Sequence, residues 1–147
     1  RAILKRSVDA GMILQSAFTK DQYVICSCHS DCCRILGVYK AAGPEKCAAS
    51  SSFAQTSNYI LNYDKDSCIQ CGACLEHCPV SAIEQDEEGY MIANGLCMRC
   101  GQCGLVCPAK ARTLSLKPAD QILERPVDLV DEYNMLAGYR FEHGTIY

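Results

Sequence analysis

The alternation of apolar and polar residues divides the first third of the chain into short elements. A helix is predicted over residues 2–16, where Gly11 interrupts late and the apolar side chains at helical spacing are Ile3, Leu4, Val8, Met12 and Ile13. A strand is predicted from Tyr23 to Cys28. A second helix is predicted from Arg34 to Ala42, because Gly43 and Pro44 follow it directly.

The rest of the pattern predicts a connection, a strand and a long tail. Residues 50–57 are polar and are interpreted as a connection, and Ile60–Tyr63 is predicted to be a strand. The tail, residues 118–147, carries more apolar side chains than so short a segment buries alone. Because Pro118 and Pro126 break any long helix, we expect an arm with short turns that lies along a partner protein.

Composition adds one dominant feature, which is cysteine. The 147 residues include 13 cysteines, with a net charge of -3 and no basic stretch of the kind that binds nucleic acid. No window approaches the about 18 apolar residues of a membrane span. The N-terminus lacks a signal peptide's continuous apolar region and begins with Arg1, so we expect a processed or trimmed chain or part of a longer one. An odd cysteine count without an export signal favours metal binding in a reducing, cytoplasmic compartment over disulfides.

Eight of the cysteines lie in an internal repeat. The stretches CIQCGACLEHCP and CMRCGQCGLVCP both read C-x2-C-x2-C-x3-C-P and begin 29 residues apart, at Cys68 and Cys97. Three thiolates in one tight loop hold three corners of a four-iron cluster, and the fourth cysteine of each run ligates the other cluster. The repeat therefore predicts two [4Fe–4S] clusters, one held by Cys68, Cys71, Cys74 and Cys107, the other by Cys97, Cys100, Cys103 and Cys78.

Zinc is a poor alternative for the repeat, because a zinc site needs two cysteine pairs separated by a longer gap. His77 precedes Cys78, but four thiolates already complete each site. We therefore interpret His77 as a surface residue or an outer neighbour of a ligand.

Residues 64–117 resemble the bacterial two-cluster ferredoxin family, both in the repeat and in the connecting run CPVSAIEQDEEGYMIANGLC. The resemblance implies a small α+β fold in which two antiparallel hairpins pair the ends of each half. Short helices would carry Cys74–Cys78 and Cys103–Cys107, and the first hairpin would turn at Glu88–Gly89 and return along Tyr90–Ile92.

The same resemblance implies apolar cover for the clusters, from Ala82, Ile83 and residues 113–116. The second half ends in AKARTLSL instead of the commoner small apolar pattern. We interpret its Arg112 as a solvated surface residue, with a positive charge near a cluster as the alternative.

A second dense group of cysteines lies in VICSCHSDCCRILG, which contains Cys26, Cys28, Cys32 and Cys33. A third [4Fe–4S] cluster is the favoured interpretation. A zinc site helped by His29 and Asp31, a set of buried reduced thiols and a catalytic dithiol stay open. Adjacent Cys32 and Cys33 crowd a single cluster, so Cys47 is kept as a substitute ligand.

Residues 2–117 as a whole resemble a group of iron–sulfur proteins from anaerobes, in which a cysteine-crowded strand and a Ser-rich segment precede a two-cluster module. The stretches that carry this resemblance are AGMILQSAFTKDQYVICSCHSDCC and CAASSSFAQTSNYILNYDKDSCIQCGAC. It implies an iron–sulfur subunit beside a larger enzyme. One candidate is the small subunit of a tungsten- or molybdenum-dependent enzyme such as a benzoyl-CoA reductase.

These interpretations divide the chain into a Cys-rich segment (1–57), a bacterial dicluster ferredoxin-like module (58–117) and a C-terminal partner-binding arm (118–147). The predicted function is electron transfer through two or three [4Fe–4S] clusters, to or from a larger catalytic oxidoreductase subunit. No catalytic residue is predicted. A redox or iron–sulfur sensing module and a freely diffusing ferredoxin are the alternatives.

Overall fold

The computed structural model describes residues 1–17, 19–45 and 57–142, and it combines short helices with two-stranded sheets. The helices used below are α1 (Ala2–Asp9), α2 (Arg34–Ala42), α3 (Ala73–Glu76), α4 (Gln102–Val106) and α5 (Leu129–Glu142). The strands are β1 (Ile13–Ser16), β2 (Ile25–Cys28), β3 (Tyr59–Tyr63), β4 (Ile83–Gln85), β5 (Met91–Ala93) and β6 (Arg112–Leu116). This mixture agrees with the predicted α+β class.

The strands form three antiparallel pairs, β1–β2, β3–β6 and β4–β5. The β4–β5 hairpin turns at Gly89, whose φ of 86° is the left-handed conformation that the predicted turn requires. The β3–β6 pair differs from the expectation of one hairpin in each half. It places Tyr59 opposite Leu116, so it joins the beginning of the first half to the end of the second.

The N-terminal helix is shorter than predicted. It ends at Asp9, and Gly11 follows with a φ of 77°, which turns the chain before Ile13 begins β1. The helical spacing of Met12 and Ile13 was misleading, because Ile13 is buried from a strand and lies opposite Cys28 of β2. The prediction for α2 is confirmed at both ends.

One apolar core joins the Cys-rich segment to the repeat. Ile13 and Leu36 from the first 45 residues are almost wholly buried in this core, against Val80, Ala82, Leu96 and Met98. The buried Gln102 side chain adds a polar link, because its Nε2 donates to the carbonyl of Met12 at 2.6 Å. The Cys-rich segment and the dicluster module therefore share buried surface.

The polar connection predicted at 50–57 lies outside the described residues, except for Ser57. The tail begins as an extended strap, in which the Asn58 side chain exchanges hydrogen bonds with the backbone of Leu123 at 2.9 and 3.3 Å. The amides of Lys20 and Asp21 also donate to the carbonyls of Pro126 and Val127, both at 2.9 Å.

A fourteen-residue helix, α5, follows this strap, so the expectation of short turns alone is wrong. Both prolines precede the helix and break nothing within it. The Asp128 carboxylate accepts the amide hydrogens of Val130 and Asp131 at 2.8 and 3.0 Å, which caps the helix N-terminus. Within the described ranges, no helix has the length and apolarity to cross a membrane.

Two helical glycines provide a matched test of this packing. A Cβ at Gly104 in α4 would stand 2.9 Å from the Arg112 carbonyl oxygen, whereas a Cβ at Gly138 in α5 would meet nothing within 4 Å. We expect Gly104→Ala to destabilise the protein by about 1–3 kcal/mol through overpacking. Gly138→Ala should be neutral or stabilise by up to about 1 kcal/mol through helix propensity. Thermal unfolding by circular dichroism checks both, and equal melting temperatures for the two variants would contradict the α4–β6 contact.

Candidate iron–sulfur sites

The two halves of the repeat adopt the same uncommon backbone conformations at equivalent positions. Gln70 and Arg99 have φ of 56° and 58°, and Ser81 and Lys110 have φ of 54° and 53°. Each pair is separated by the same 29 residues as the cysteine runs. A positive φ is uncommon for residues other than glycine, so the two halves hold the same unusual loop shape twice.

These loops surround two cavities of nearly equal size. The first cavity is lined by the thiols of Cys68, Cys71, Cys74 and Cys107. The second cavity is lined by those of Cys78, Cys97, Cys100 and Cys103. Each cavity thus takes three cysteines from one run and the fourth from the other run, which is the arrangement that crossed ligation needs.

The short helices produce this exchange. Helix α3 carries Cys74 of the first set and leads directly to Cys78 of the second, while α4 carries Cys103 of the second set and leads to Cys107 of the first. Among the described residues, no three potential ligands converge closely enough to hold a single metal ion. The eight thiols enclose cavities instead, a donor set that fits two four-iron clusters. Their role as ligands stays a prediction.

Backbone amides point at some of these sulfur atoms. The amide of Gln70 donates to Cys68 Sγ at 3.4 Å, and that of Ala82 donates to Cys78 Sγ at 3.2 Å. Such hydrogen bonds stabilise charge on ligand sulfur. Burial raises the pKa of the Cys100 thiol to about 11 and of the Cys103 thiol to about 12, so both are protonated near neutral pH and release protons when they bind metal.

The apolar cover agrees with the sequence in one half only. Ala82 and Ile83 line the second cavity, as expected. Residues 113–116 do not line the first cavity, because β6 runs along β3, and Leu114 lies against Gly101 of the second cavity instead. Ala111 and Arg112 line the first cavity in their place.

The interpretation of Arg112 as a solvated surface residue is wrong. Its exposed fraction is 3%, and its guanidinium lies 4.4 Å from the centre of the Tyr63 ring. Nη2 donates to the carbonyl of Met91, while Nε has no hydrogen-bond partner among the described residues. The sequence alternative, a positive charge near a cluster site, is the one that this geometry favours.

The N-terminal cysteines converge in part. Cys26 and Cys28 lie on β2, Cys33 is the N-cap of α2, and the Cys28 thiol interacts with the thiols of both. Burial raises the pKa of Cys28 to about 11, whereas hydrogen bonding from the Leu36 amide lowers the pKa of Cys33. This contrast is typical of a thiol at a helix N-terminus beside a buried neighbour.

The fourth cysteine of this group, Cys32, does not join the other three. Cys32 is exposed and donates to the His29 carbonyl at 3.6 Å, and Cys47 lies outside the described residues. His29 and Asp31 pair with each other at 2.8 Å, a contact that directs Nδ1 of the imidazole to the carboxylate. Cys26, Cys28 and Cys33 therefore form the core of this candidate site.

The N-terminal site lies beside the second cavity. The Ser30 hydroxyl donates to the carbonyl of Pro79, next to Cys78. Cys28 and Cys33 pack against the same core as three thiols of the second set, Cys78, Cys97 and Cys100. His77 is half-buried, lies close to Gly11 and does not line either cavity, consistent with its interpretation as a non-ligand.

Comparison with known proteins agrees with this geometry. Residues 67–111 match the family model described as the 4Fe-4S dicluster domain. The chain is 37% identical over 71 residues to ferredoxin Fdx2 of Sorangium cellulosum, an alignment that covers 44% of this chain and 66% of the relative.

Two further relatives are enzyme subunits. Pyruvate synthase subunit PorD of Methanothermobacter marburgensis is 42% identical over 48 residues, covering 33% of this chain and 56% of that protein. The delta subunit of an NADH-dependent phenylglyoxylate dehydrogenase from Aromatoleum evansii is 32% identical over 47 residues, covering 32% and 50%.

The chain thus spans between half and about two thirds of the length of these relatives. Its repeat region matches the 4Fe-4S dicluster domain and is similar to ferredoxins, which supports clusters of the [4Fe–4S] type.

Paired cysteine substitutions test which thiols serve one cluster. Cys68 and Cys107 line the same cavity, so the double variant Cys68→Ala/Cys107→Ala should lose one cluster, about four iron atoms, and keep the other. Cys68→Ala/Cys78→Ala removes one thiol from each cavity and should damage both clusters. Iron analysis and electron paramagnetic resonance of anaerobically prepared protein distinguish the two results.

The reverse pattern would refute crossed ligation. If each run closed its own cluster, Cys68→Ala/Cys78→Ala would damage one cluster and Cys68→Ala/Cys107→Ala would damage two. Cys97→Ala/Cys78→Ala is the matched control from the second cavity and should behave like Cys68→Ala/Cys107→Ala.

Proposed function

We propose that this protein is an electron-transfer subunit that relays single electrons through [4Fe–4S] clusters to or from a larger oxidoreductase. The observation that carries the proposal is the pair of four-thiol cavities with crossed cysteines, which lie within one small fold. When bound, such clusters take up and release electrons without forming bonds to a substrate. The protein's own residues hold the thiols and set the electrostatic environment of each site.

The sites are linked to one another through shared core residues. Cys74 and Cys103, one from each cavity, are buried in a common core cluster with Ile83 and Met91. Cys28 and Cys33 of the N-terminal site pack against the core that contains Leu36, as do Cys78, Cys97 and Cys100 of the second set. The order along the proposed path is therefore N-terminal site, second cavity, first cavity.

The loop that contains Ile69 and Cys71, beside the first cavity, is more exposed than its counterpart beside the second. Ile69 lines it and is 64% exposed, whereas Met98, the residue at the same repeat position in the second half, is 7% exposed beneath Ile13 and Leu36. Cys71 is likewise exposed, while its counterpart Cys100 is half-buried. An electron acceptor or donor therefore has its closest approach at the Ile69–Cys71 loop.

Helix α5 supplies a surface for the partner protein. Leu129, Val130 and Tyr133 are more than half exposed, although the strap before them is held to the module. Large apolar and aromatic side chains of this kind anchor protein interfaces. PorD and the phenylglyoxylate dehydrogenase delta chain are subunits of oxidoreductases, and we extend that kind of assembly to this protein. A tungsten- or molybdenum-dependent partner, a cytoplasmic location and division at residues 57 and 117 belong to the same proposal.

Metal analysis tests the N-terminal site. Three four-iron clusters correspond to about 12 iron atoms and 12 inorganic sulfides per chain. Cys28→Ser/Cys33→Ser should lower both by about four, because these two thiols form the core of that site. A yield of about eight iron atoms with one zinc would replace the third cluster with a zinc site.

Truncation tests the role of the tail in binding. A chain ending at Val127 keeps the strap and loses α5, whereas a chain ending at Lys117 loses both. Both should retain the clusters and their absorption spectrum but fail to co-purify with the catalytic partner from native extract. Val130→Ser/Tyr133→Ser should weaken binding in the same direction, because it removes the exposed apolar face of α5.

Ile3→Ser is the matched control, since Ile3 is equally exposed on another helix, α1. It should bind like the unmodified chain. Normal co-purification of both truncated chains, or an intact chain that migrates as a monomer in native extract with a protease-sensitive tail, would favour the freely diffusing ferredoxin.

A further inference from the structure

The two cavities differ at one repeat position in a way that the cysteine pattern does not require. Arg112 lines the first cavity, and Ile83, 29 residues earlier, lines the second. Both side chains are buried, with exposed fractions of 3% and 6%. A cation therefore replaces an aliphatic side chain beside one of the two thiol sets.

Among the described residues, no carboxylate pairs with Arg112. Its contacts are the Met91 carbonyl and the face of the Tyr63 ring. Arginine keeps its proton in folded proteins, so a full positive charge stands at this cavity. In such poorly solvated surroundings, a charge acts more strongly than it does in water.

We propose, on the basis of the electron-transfer function above, that Arg112 gives the first-cavity site a more positive reduction potential than the second. Reduction adds one negative charge to a site, and a nearby buried cation stabilises that charge. In a half-reduced pair, the electron then leaves the second site and resides at the first, with no proton transferred and no bond changed. Arg112 is thus a positioning residue that directs electrons toward the exposed Ile69–Cys71 loop.

A competing charge lies at the second cavity. Arg99 lines that cavity where the first half has Gln70, and it reaches the Tyr59 carbonyl at 3.3 Å. Its side chain is accessible to solvent, so water and salt screen its charge far more than that of Arg112. Arg112 also acts on Cys103 of the second set. The potential of each site is therefore shifted, and the proposal concerns the difference between the two shifts.

The test is a redox titration of the intact, anaerobically prepared protein, followed by electron paramagnetic resonance. Arg112→Ile places the first half's own residue in the second half. Arg112→Gln removes the charge but retains an amide donor for the Met91 carbonyl, and Arg112→Lys retains the charge. We expect the Ile and Gln variants to lower the more positive potential by at least a tenfold change in the one-electron equilibrium, about 59 mV, and to narrow the gap between the sites.

Arg112→Lys should keep more than half of the gap between the two reduction potentials. This result separates the effect of the charge from the effect of packing. Arg99→Gln is the matched control and should shift either potential by less than half as much as Arg112→Gln. If neither Arg112→Gln nor Arg112→Ile moves a potential, or if Arg112→Lys moves it as far as they do, the proposal is wrong.

The outcomes also separate this inference from the function on which it rests. Two four-iron signals with potentials indifferent to Arg112 would overturn the role of Arg112 and leave the electron-transfer proposal intact. An unmodified protein that shows no reducible four-iron signal would overturn both.

Discussion

The exchange of one cysteine between the two halves is the constraint on which the rest of the structure depends. Because each cavity takes its fourth thiol from the opposite run, neither half completes a site alone. The short helices α3 and α4 lie side by side for this reason. At the end of the second half, β6 returns to pair with β3. Binding of clusters by such thiols would couple metal assembly to folding, since the ligands come together only when the halves do.

The described part of the Cys-rich segment shares its core with the dicluster module. Ile13 and Leu36 are buried against Val80, Ala82 and Met98, which line the second cavity, and Cys28 and Cys33 pack against the same core. The first cavity has no such cover at Ile69. This packing thus buries Met98 beside the second cavity and leaves its counterpart Ile69 exposed beside the first.

The two halves keep a common backbone and differ in their side chains. The positive φ values at Gln70 and Arg99 and at Ser81 and Lys110 show how closely the loop shapes agree. The side chains at Arg112 and Ile83 then give the two cavities different electrostatic surroundings. A repeat can in this way supply two cavities of similar shape, while single side-chain differences give each cavity its own electrostatic surroundings.

The sequence by itself determined the elements that local spacing controls. The cysteine runs predicted the two thiol sets that the cavities bring together, and Gly43 and Gly89 marked the end of α2 and the β4–β5 turn, because these conformations depend on neighbouring residues. Burial and long-range pairing were decided by the tertiary structure. Helical spacing in residues 2–16 concealed β1, whose partner lies on β2, and Arg112 appeared solvated because its burial depends on Tyr63 and Met91, far away in the chain. The position of Cys28 and Cys33 beside the second cavity likewise required the fold, since no local pattern links residues 26–33 to Pro79.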